Sequence, residues 1–172
     1  MTPHPRTDPV VRKALPDDAA SVASVLNSVI LEGDHTALTT PFTEADERAF
    51  IEGLCDRSAL FVAEVDGRVA GIQSIEPDAS ARYTDSMRHV ATLGTWIGRS
   101  FRRRSIGRLL AEACFDFARG KGYGKIAIQV LADNERALRF YGSLGFEKIG
   151  VARRHVRLKG RFRDVLYLEK LL

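Results

Sequence analysis

Two cysteines among 172 residues cannot build a disulfide framework. Neither Cys55 nor Cys114 has a histidine or second cysteine at metal-ligand spacing, and His4, His35, His89 and His155 are scattered, so no metal is expected. No apolar run reaches the length of a membrane span, and residues 1–9 are polar and proline-containing, without the apolar core of a signal peptide. No membrane partner is expected, and a reduced, cytoplasmic setting is the default. Nucleotide signatures are missing too. No Gly-Lys-Ser/Thr follows a glycine-rich loop, which argues against a Walker-type site, and there is no G-x-G-x-x-G for a dinucleotide fold. Neither repeats nor a linker divide the chain, so one domain is expected over residues 10–172, behind a flexible tail at 1–9.

What the chain does carry is a modest positive excess, 26 Lys and Arg against 22 Asp and Glu, with a pI near 9.3. That balance favours an anionic ligand without naming one. The charge gathers in residues 96–111, where an apolar strand ends, Arg102, Arg103 and Arg104 follow, and an amphipathic helix begins at Ser105. Ile106, Leu109, Leu110, Ala113, Cys114 and Phe117 recur on one helical face. The free amides of the first turn and the positive end of the helix dipole form an anion site there. Ser105 and Gly107 are small enough for a phosphate to approach the backbone, and Ser105 is a good residue type for the helix cap. The segment 102–108 reads as a pyrophosphate cradle.

Taken in order, a short strand at 10–15 precedes a helix started by Pro16, Asp17 and Asp18. Thr43 and Asp46 form a capping box for a second helix. Two strands, 60–65 and 68–75, meet at Asp66-Gly67, a two-residue hairpin signal. After a polar connection over 77–87, a strand at 90–97 leads into the basic loop. The central helix is followed by a continuous apolar strand at 126–131, a helix capped at Asp133-Asn134, and a final hairpin around Lys159-Gly160. The order is β-α-α-β-β-β-α-β-α-β-β, an α/β (α+β) architecture with a mixed sheet of about seven strands and four helices. Its strand–helix–strand unit at 90–131 makes a right-handed crossover.

The run Arg102-Arg103-Arg104-Ser105-Ile106-Gly107 resembles the Arg/Gln-x-x-Gly-x-Gly/Ala motif of the GCN5-related N-acetyltransferases (GNAT), with Ser105 where the family has its first glycine. A second segment, from Asn134 through Ala137 and Tyr141 to Gly145-Phe146, is similar to that family's Asn-x-x-Ala-x-x-x-Tyr-x-x-x-Gly-Phe. Asn27, the neighbourhood of Phe42 and Thr43, Glu47-Arg48 and residues 160–165 resemble the phosphinothricin acetyltransferase-like branch, which acetylates α-amino groups of amino acids and their analogues.

The resemblance implies a single-domain GNAT fold, acetyl-CoA as cosubstrate without a metal, and transfer to a primary amine of a small molecule. Trp96, Ile97 and Gly98 would pair with the pantetheine arm. Arg102, Arg103, Arg104, Ser105, Ile106, Gly107 and Arg108 would take the pyrophosphate, Asn134 would bind pantetheine, and Tyr141 would protonate the departing thiolate. A phenol with a pKa of about 10 suits that task. Glu32, Phe42, Arg82, Tyr83 and Thr92 would line the acceptor side, with Arg82 available to a substrate carboxylate.

Thr92 stands where the branch has its glutamate base, and a threonine cannot serve. Glu32 and Glu76 are the nearest carboxylates by inferred position. A lysine-like amine needs roughly 4.6 kcal/mol to be neutral at pH 7, whereas a peptide-like α-amine needs only about 1.4 kcal/mol, so a low-pKa acceptor is favoured. Two other readings stay open: a basic nucleic-acid-binding module and a catalytically idle acyl-CoA-binding homologue. No aromatic stacking motif supports the former, and no nucleic acid is expected as a partner. A homodimer is compatible with the sequence.

Overall fold

The computed structural model describes residues 8–172, so the expected tail falls almost wholly outside the described residues. Seven strands form one sheet in the order β1-β2-β3-β4-β5-β7-β6. They are β1 (Val10–Lys13), β2 (Ala59–Val65), β3 (Arg68–Pro77), β4 (Val90–Ile97), β5 (Lys125–Leu131), β6 (Glu147–Leu158) and β7 (Arg161–Leu171). Four helices, α1 (Ala19–Glu32), α2 (Glu44–Glu52), α3 (Ile106–Gly120) and α4 (Glu135–Ser143), complete the mixed α/β fold. Every strand pairing is antiparallel except that of β4 with β5, which α3 connects. Among the described residues no helix is long and apolar enough to cross a membrane.

Alternation along β2 divides the core. Ala59, Phe61, Ala63 and Val65 face the cluster under α3, while Leu60 and Val62 join α1 and α2 on the other face. At Asp66-Gly67 both residues have positive φ, 51° and 72°, as the tightest hairpin turn requires. The Thr43–Asp46 capping box forms: the Asp46 amide donates to Thr43 Oγ1 at 3.1 Å and the Thr43 amide to Asp46 at 2.7 Å. Asn27 ties the loop before α2 to α1 by donating to the Phe42 carbonyl and accepting from the Phe42 amide, both at 2.8 Å. The connection expected over 77–87 holds two short 3-10 turns, Ala79–Arg82 and Asp85–Met87.

Two local expectations are corrected. The buried stripe of α3 runs through Ile106, Leu110, Ala111, Cys114, Phe115 and Ala118, whereas Leu109, Ala113 and Phe117 are half-buried. Phe115 packs on Phe146 at 6.2 Å between ring centroids, so the face under the sheet and the start of β6 is rotated by about one residue from the simplest periodic reading. Ser105 does not cap α3. It sits at φ 59°, ψ 1°, and its side chain makes no cap hydrogen bond, because this left-handed backbone turns the hydroxyl away from the first-turn amides.

Candidate active site

Strands β4 and β5 pair only at Val90, Ala91 and Thr92, against Lys125, Ile126 and Ala127. Beyond Thr92 they diverge, although β4 stays paired with β3 as far as Ile97. The β5-facing backbone groups of the second half of β4 therefore have no strand partner, an edge opened inside a sheet. A cavity of about 790 Å³ fills the fork. It is lined by Thr92, Gly94, Trp96 and Ile97 of β4, by Ala127 to Leu131 of β5, and by Phe140 and Tyr141 of α4.

At the mouth lies the start of α3. Arg103 and Ser105 both have positive φ, 65° and 59°. Among the described residues the amides of Arg103, Arg104, Ser105, Ile106 and Gly107 donate to no carbonyl, and the first helical bonds come from Arg108 and Leu109 to the Ser105 carbonyl. Successive free amides at a helix N-terminus make a concavity for an anion. Gly107 keeps this turn close to α4, since a Cβ there would stand 3.1 Å from the Phe140 ring. Inside the fork, Trp96 folds back over Gly94, where a Cβ would meet its ring at 2.4 Å. The backbone cradle thus fits a pyrophosphate, and the open edge of β4 fits an amide-bearing chain.

The side chains expected at this site divide. Arg103, Ser105, Ile106, Gly107, Arg108, Trp96, Ile97, Asn134, Tyr141 and Thr92 all line the cavity. Gly98 and Arg104 do not: the Gly98 amide donates to the Ala70 carbonyl, and Arg104 stacks over Phe101 with its guanidinium carbon 5.6 Å from the ring centre. Arg102 contributes a wall but no free guanidinium. Its Nη1 and Nη2 donate to the two Glu32 oxygens at 2.8 and 2.5 Å, and its Nε to the Ile97 carbonyl at 3.0 Å. Glu32 is thus no solvated loop carboxylate. The Arg102 hydrogen bonds hold its carboxyl below the usual range, the opposite of what a base needs. Asn134 accepts from the Ala137 amide at 3.2 Å and donates to the His35 carbonyl at 3.3 Å, so it caps α4 and holds the loop after α1 over the cavity.

Besides Glu32, which is taken up by Arg102 and does not line the cavity, three expected acceptor residues lie elsewhere. Arg82 is exposed and Tyr83 is 85% exposed on the 3-10 turn after β3. Phe42 packs against the core under α1. None of them lines the cavity. Glu76 does not line the cavity either, but it sits directly opposite the lining residue Thr92 in the β3–β4 register, and both lie on the sheet face of Ile72 and Trp96. Burial raises its carboxyl pKa.

Tyr141 is buried among aromatic rings, 5.1 Å from Phe140 and 5.3 Å from Phe146 between centroids. Its hydroxyl donates to Thr95 Oγ1 at 2.9 Å. Burial pushes the phenol up to about 12, partly offset by that hydrogen bond. Thr95 also accepts from Gln73 Nε2 at 2.5 Å. The sequence reading missed both residues, although a glutamine within the apolar strand run 69–75 was a usable signal. His35 and Thr36, which line the cavity from the loop after α1, carry no such signal.

The sheet is thus forked at its parallel pair, with a run of free amides at the mouth and a buried phenol inside. The chain belongs to the Acetyltransferase (GNAT) family, whose model matches residues 29–146. It is 39% identical over 71 residues to N-alpha-acetyltransferase RimI of Mycobacterium tuberculosis, covering 41% of this chain and 42% of that protein. Two Xenopus relatives named probable N-acetyltransferase camello are likewise spanned over only 43% and 41% of their length. Phosphinothricin N-acetyltransferase of Streptomyces viridochromogenes is 26% identical over 167 residues, covering 96% of this chain and 90% of that one. L-amino acid N-acetyltransferase AaaT of Escherichia coli is 27% identical over 126 residues, covering 70% and 74%. Among solved structures, a GNAT-family acetyltransferase from Streptococcus pneumoniae superposes with a TM-score of 0.85 at 28% identity, over 96% of this chain and 99% of that one. The protein yncA from Salmonella typhimurium, solved with its cofactor acetyl-CoA, has the same fold, with a TM-score of 0.88 at 20% identity over 96% of this chain and 95% of that one.

Proposed function

We propose that the protein is an acetyl-CoA-dependent N-acetyltransferase acting on the α-amino group of an amino acid or a close analogue. The observation that carries this reading is the fork between β4 and β5, which opens onto the unpartnered amides of residues 103–107. Family membership supports the transfer chemistry, and the Salmonella relative was solved with acetyl-CoA. The acceptor class is supported by two relatives named for amino-acid or phosphinothricin acetylation.

When bound, acetyl-CoA supplies the activated acetyl group, and the chain supplies the rest. Backbone amides of residues 103–107 hold the pyrophosphate, with Arg103 and Arg108 adding positive charge. The open edge of β4 pairs with the pantetheine amides as an added strand would. Tyr141, kept protonated by burial, donates its proton at Oη to the departing sulfur. The acceptor amine must reach the site neutral, and we assign its proton to Glu76, which pairs with the cavity residue Thr92 in the β3–β4 register without itself lining the cavity. The raised pKa of Glu76 brings it nearer to that of an amine with a low pKa.

A panel of amino acids, their N-blocked forms and polyamines, scored by release of free thiol from acetyl-CoA and by product mass, tests this reading. Turnover of free α-amines but not of N-blocked ones supports it. Turnover confined to polyamines or to protein N-termini contradicts the acceptor class.

A further inference from the structure

Gln73 is fully buried, and among the described residues its Oε1 has no hydrogen-bond partner. Its one hydrogen bond runs from Nε2 to Thr95. Packing does not explain an amide at this position, because a leucine or methionine would fill the space without leaving a buried polar atom unpaired. Nε2 carries two hydrogens and makes this one bond, so its second N–H is unpaired as well. Phe61, Gln73 and Thr95 form one register row across β2, β3 and β4, and Tyr141 approaches that row from α4.

The oxygen of Thr95 therefore accepts twice, from Gln73 and from Tyr141, and its own hydrogen is left free. We propose that Gln73 and Thr95 are positioning residues for Tyr141, with Gln73 holding Thr95 so that the Thr95 hydroxyl donates to Tyr141 Oη as that oxygen gives up its proton. This rests on Tyr141 as the acid, as read above. The Tyr141 hydrogen, which here points at Thr95, swings to the departing thiolate, where its O–H bond breaks as an S–H bond forms. The hydrogen of Thr95 turns from the cavity onto the phenolate, and Gln73 Nε2 steadies the oxygen that bore it. At the moment of transfer three donors point one way, Gln73 to Thr95, Thr95 to Tyr141 and Tyr141 to sulfur.

Such a chain meets a need specific to this pocket. Phe140 and Phe146 pack against the phenol, and among the described residues its one side-chain hydrogen bond is to Thr95, so Thr95 is the protein group at hand to stabilise a phenolate formed there. Burial has already made Tyr141 a weaker acid than a free phenol, and the Thr95 bond is what opposes that rise.

The test replaces Tyr141 with 3,5-difluorotyrosine, a more acidic phenol, and follows its ionisation by fluorine NMR in the full chain without added substrate. Thr95→Val should raise the pKa by about one unit, the weight of one hydrogen bond to a charged oxygen. Gln73→Met should raise it by a smaller amount, and Thr95→Ser should restore it. An unshifted pKa in both Thr95→Val and Gln73→Met overturns the proposal. Turnover of acetyl-CoA with the best amino acid of the panel adds a second reading. Gln73→Met should lower kcat several-fold at unchanged KM in the natural chain and have no further effect in Tyr141→Phe. Equal losses in both backgrounds would make Gln73 a packing residue and overturn the proposal. If Tyr141→Phe alone leaves turnover intact, the acid assignment has failed, and the fluorine titration still decides whether the chain of donors exists.

Discussion

Arg102, on the loop that enters α3, grips Glu32 at the end of α1 through two hydrogen bonds, although 70 residues separate them. The two side chains are only 15% and 19% exposed. The residue that the motif assigns to pyrophosphate is thus a strut. It fastens α1 to the cradle and fixes the Ile97 carbonyl through its third donor. On the proposed reading, anion binding falls to the backbone amides and to Arg103 and Arg108.

Arg102→Ala should accordingly lower folding stability by about 1–3 kcal/mol, between the values for exposed and for fully buried pairs. The pH dependence carries a sign. Glu32 has a depressed folded pKa, so its stabilisation is present above the ordinary carboxylate pKa of about 4.3 and is lost as pH falls through the folded value. Denaturant midpoints measured from neutral to acid pH should converge for Arg102→Ala and the natural chain. A gap that persists at the acid end would mean that the pair contributes little.

Ser105 offers a second test, through backbone strain. A non-glycine residue in the left-handed region costs about 1–2 kcal/mol, and the Ser105 hydroxyl makes no cap bond to offset it. Ser105→Gly should therefore stabilise the protein by about 0.5–1 kcal/mol, and Ser105→Ala should be close to neutral. Were Ser105 a working cap, alanine would cost about 1 kcal/mol instead. Urea midpoints of the two variants separate these cases.

Tyr141→Phe should reduce turnover by about one to three decades with little change in acetyl-CoA affinity, because the hydroxyl acts as the sulfur departs. Since burial pushes the phenol up to about 12, no alkaline fall in rate should arise from Tyr141 near neutral pH. The pH–rate profile checks this. An alkaline limb below about pH 10 that disappears in Tyr141→Phe would contradict the buried-phenol account.

Glu76 and Thr92 face each other across β3 and β4, which makes their exchange informative. Glu76→Gln should slow acetylation of high-pKa amines more than that of low-pKa amines and remove an acid-limb ionisation. Because its folded pKa is raised, ionising Glu76 at neutral pH costs stability, so the same variant should also unfold at higher denaturant concentration near pH 7. Thr92→Glu should restore the rate with high-pKa amines in the Glu76→Gln background. Equal effects on amines of every pKa would show that proton removal does not limit the reaction.

Local periodicity made most of the fold legible. The alternation of β2, the Asp66-Gly67 turn and the Thr43–Asp46 box each depend on neighbours within a few residues, and each forms as its residues require. The start of α3 behind the basic loop was legible for the same reason, since a basic loop meeting an amphipathic helix is a local pattern. What escaped was set by topology. The motif offers Arg102 to a phosphate, yet the packing of α1 against β4 brings Glu32 closer. Arg82 and Tyr83 lie on a polar connection whose direction no periodicity dictates, and the chain turns them to solvent. Gln73 and Thr95 looked like ordinary strand residues until the register placed them in one row beside Tyr141.

Equilibrium dialysis of labelled acetyl-CoA against the full chain tests the central claim, that the β4–β5 fork and the α3 cradle hold this ligand. One saturable site is predicted, with a Kd between about 1 μM and 1 mM, the usual span for enzymes and their substrates. Arg103→Glu should weaken it, and more so at low salt than at high. Absence of saturable binding at millimolar acetyl-CoA, or binding indifferent to Arg103→Glu at low salt, would contradict the account.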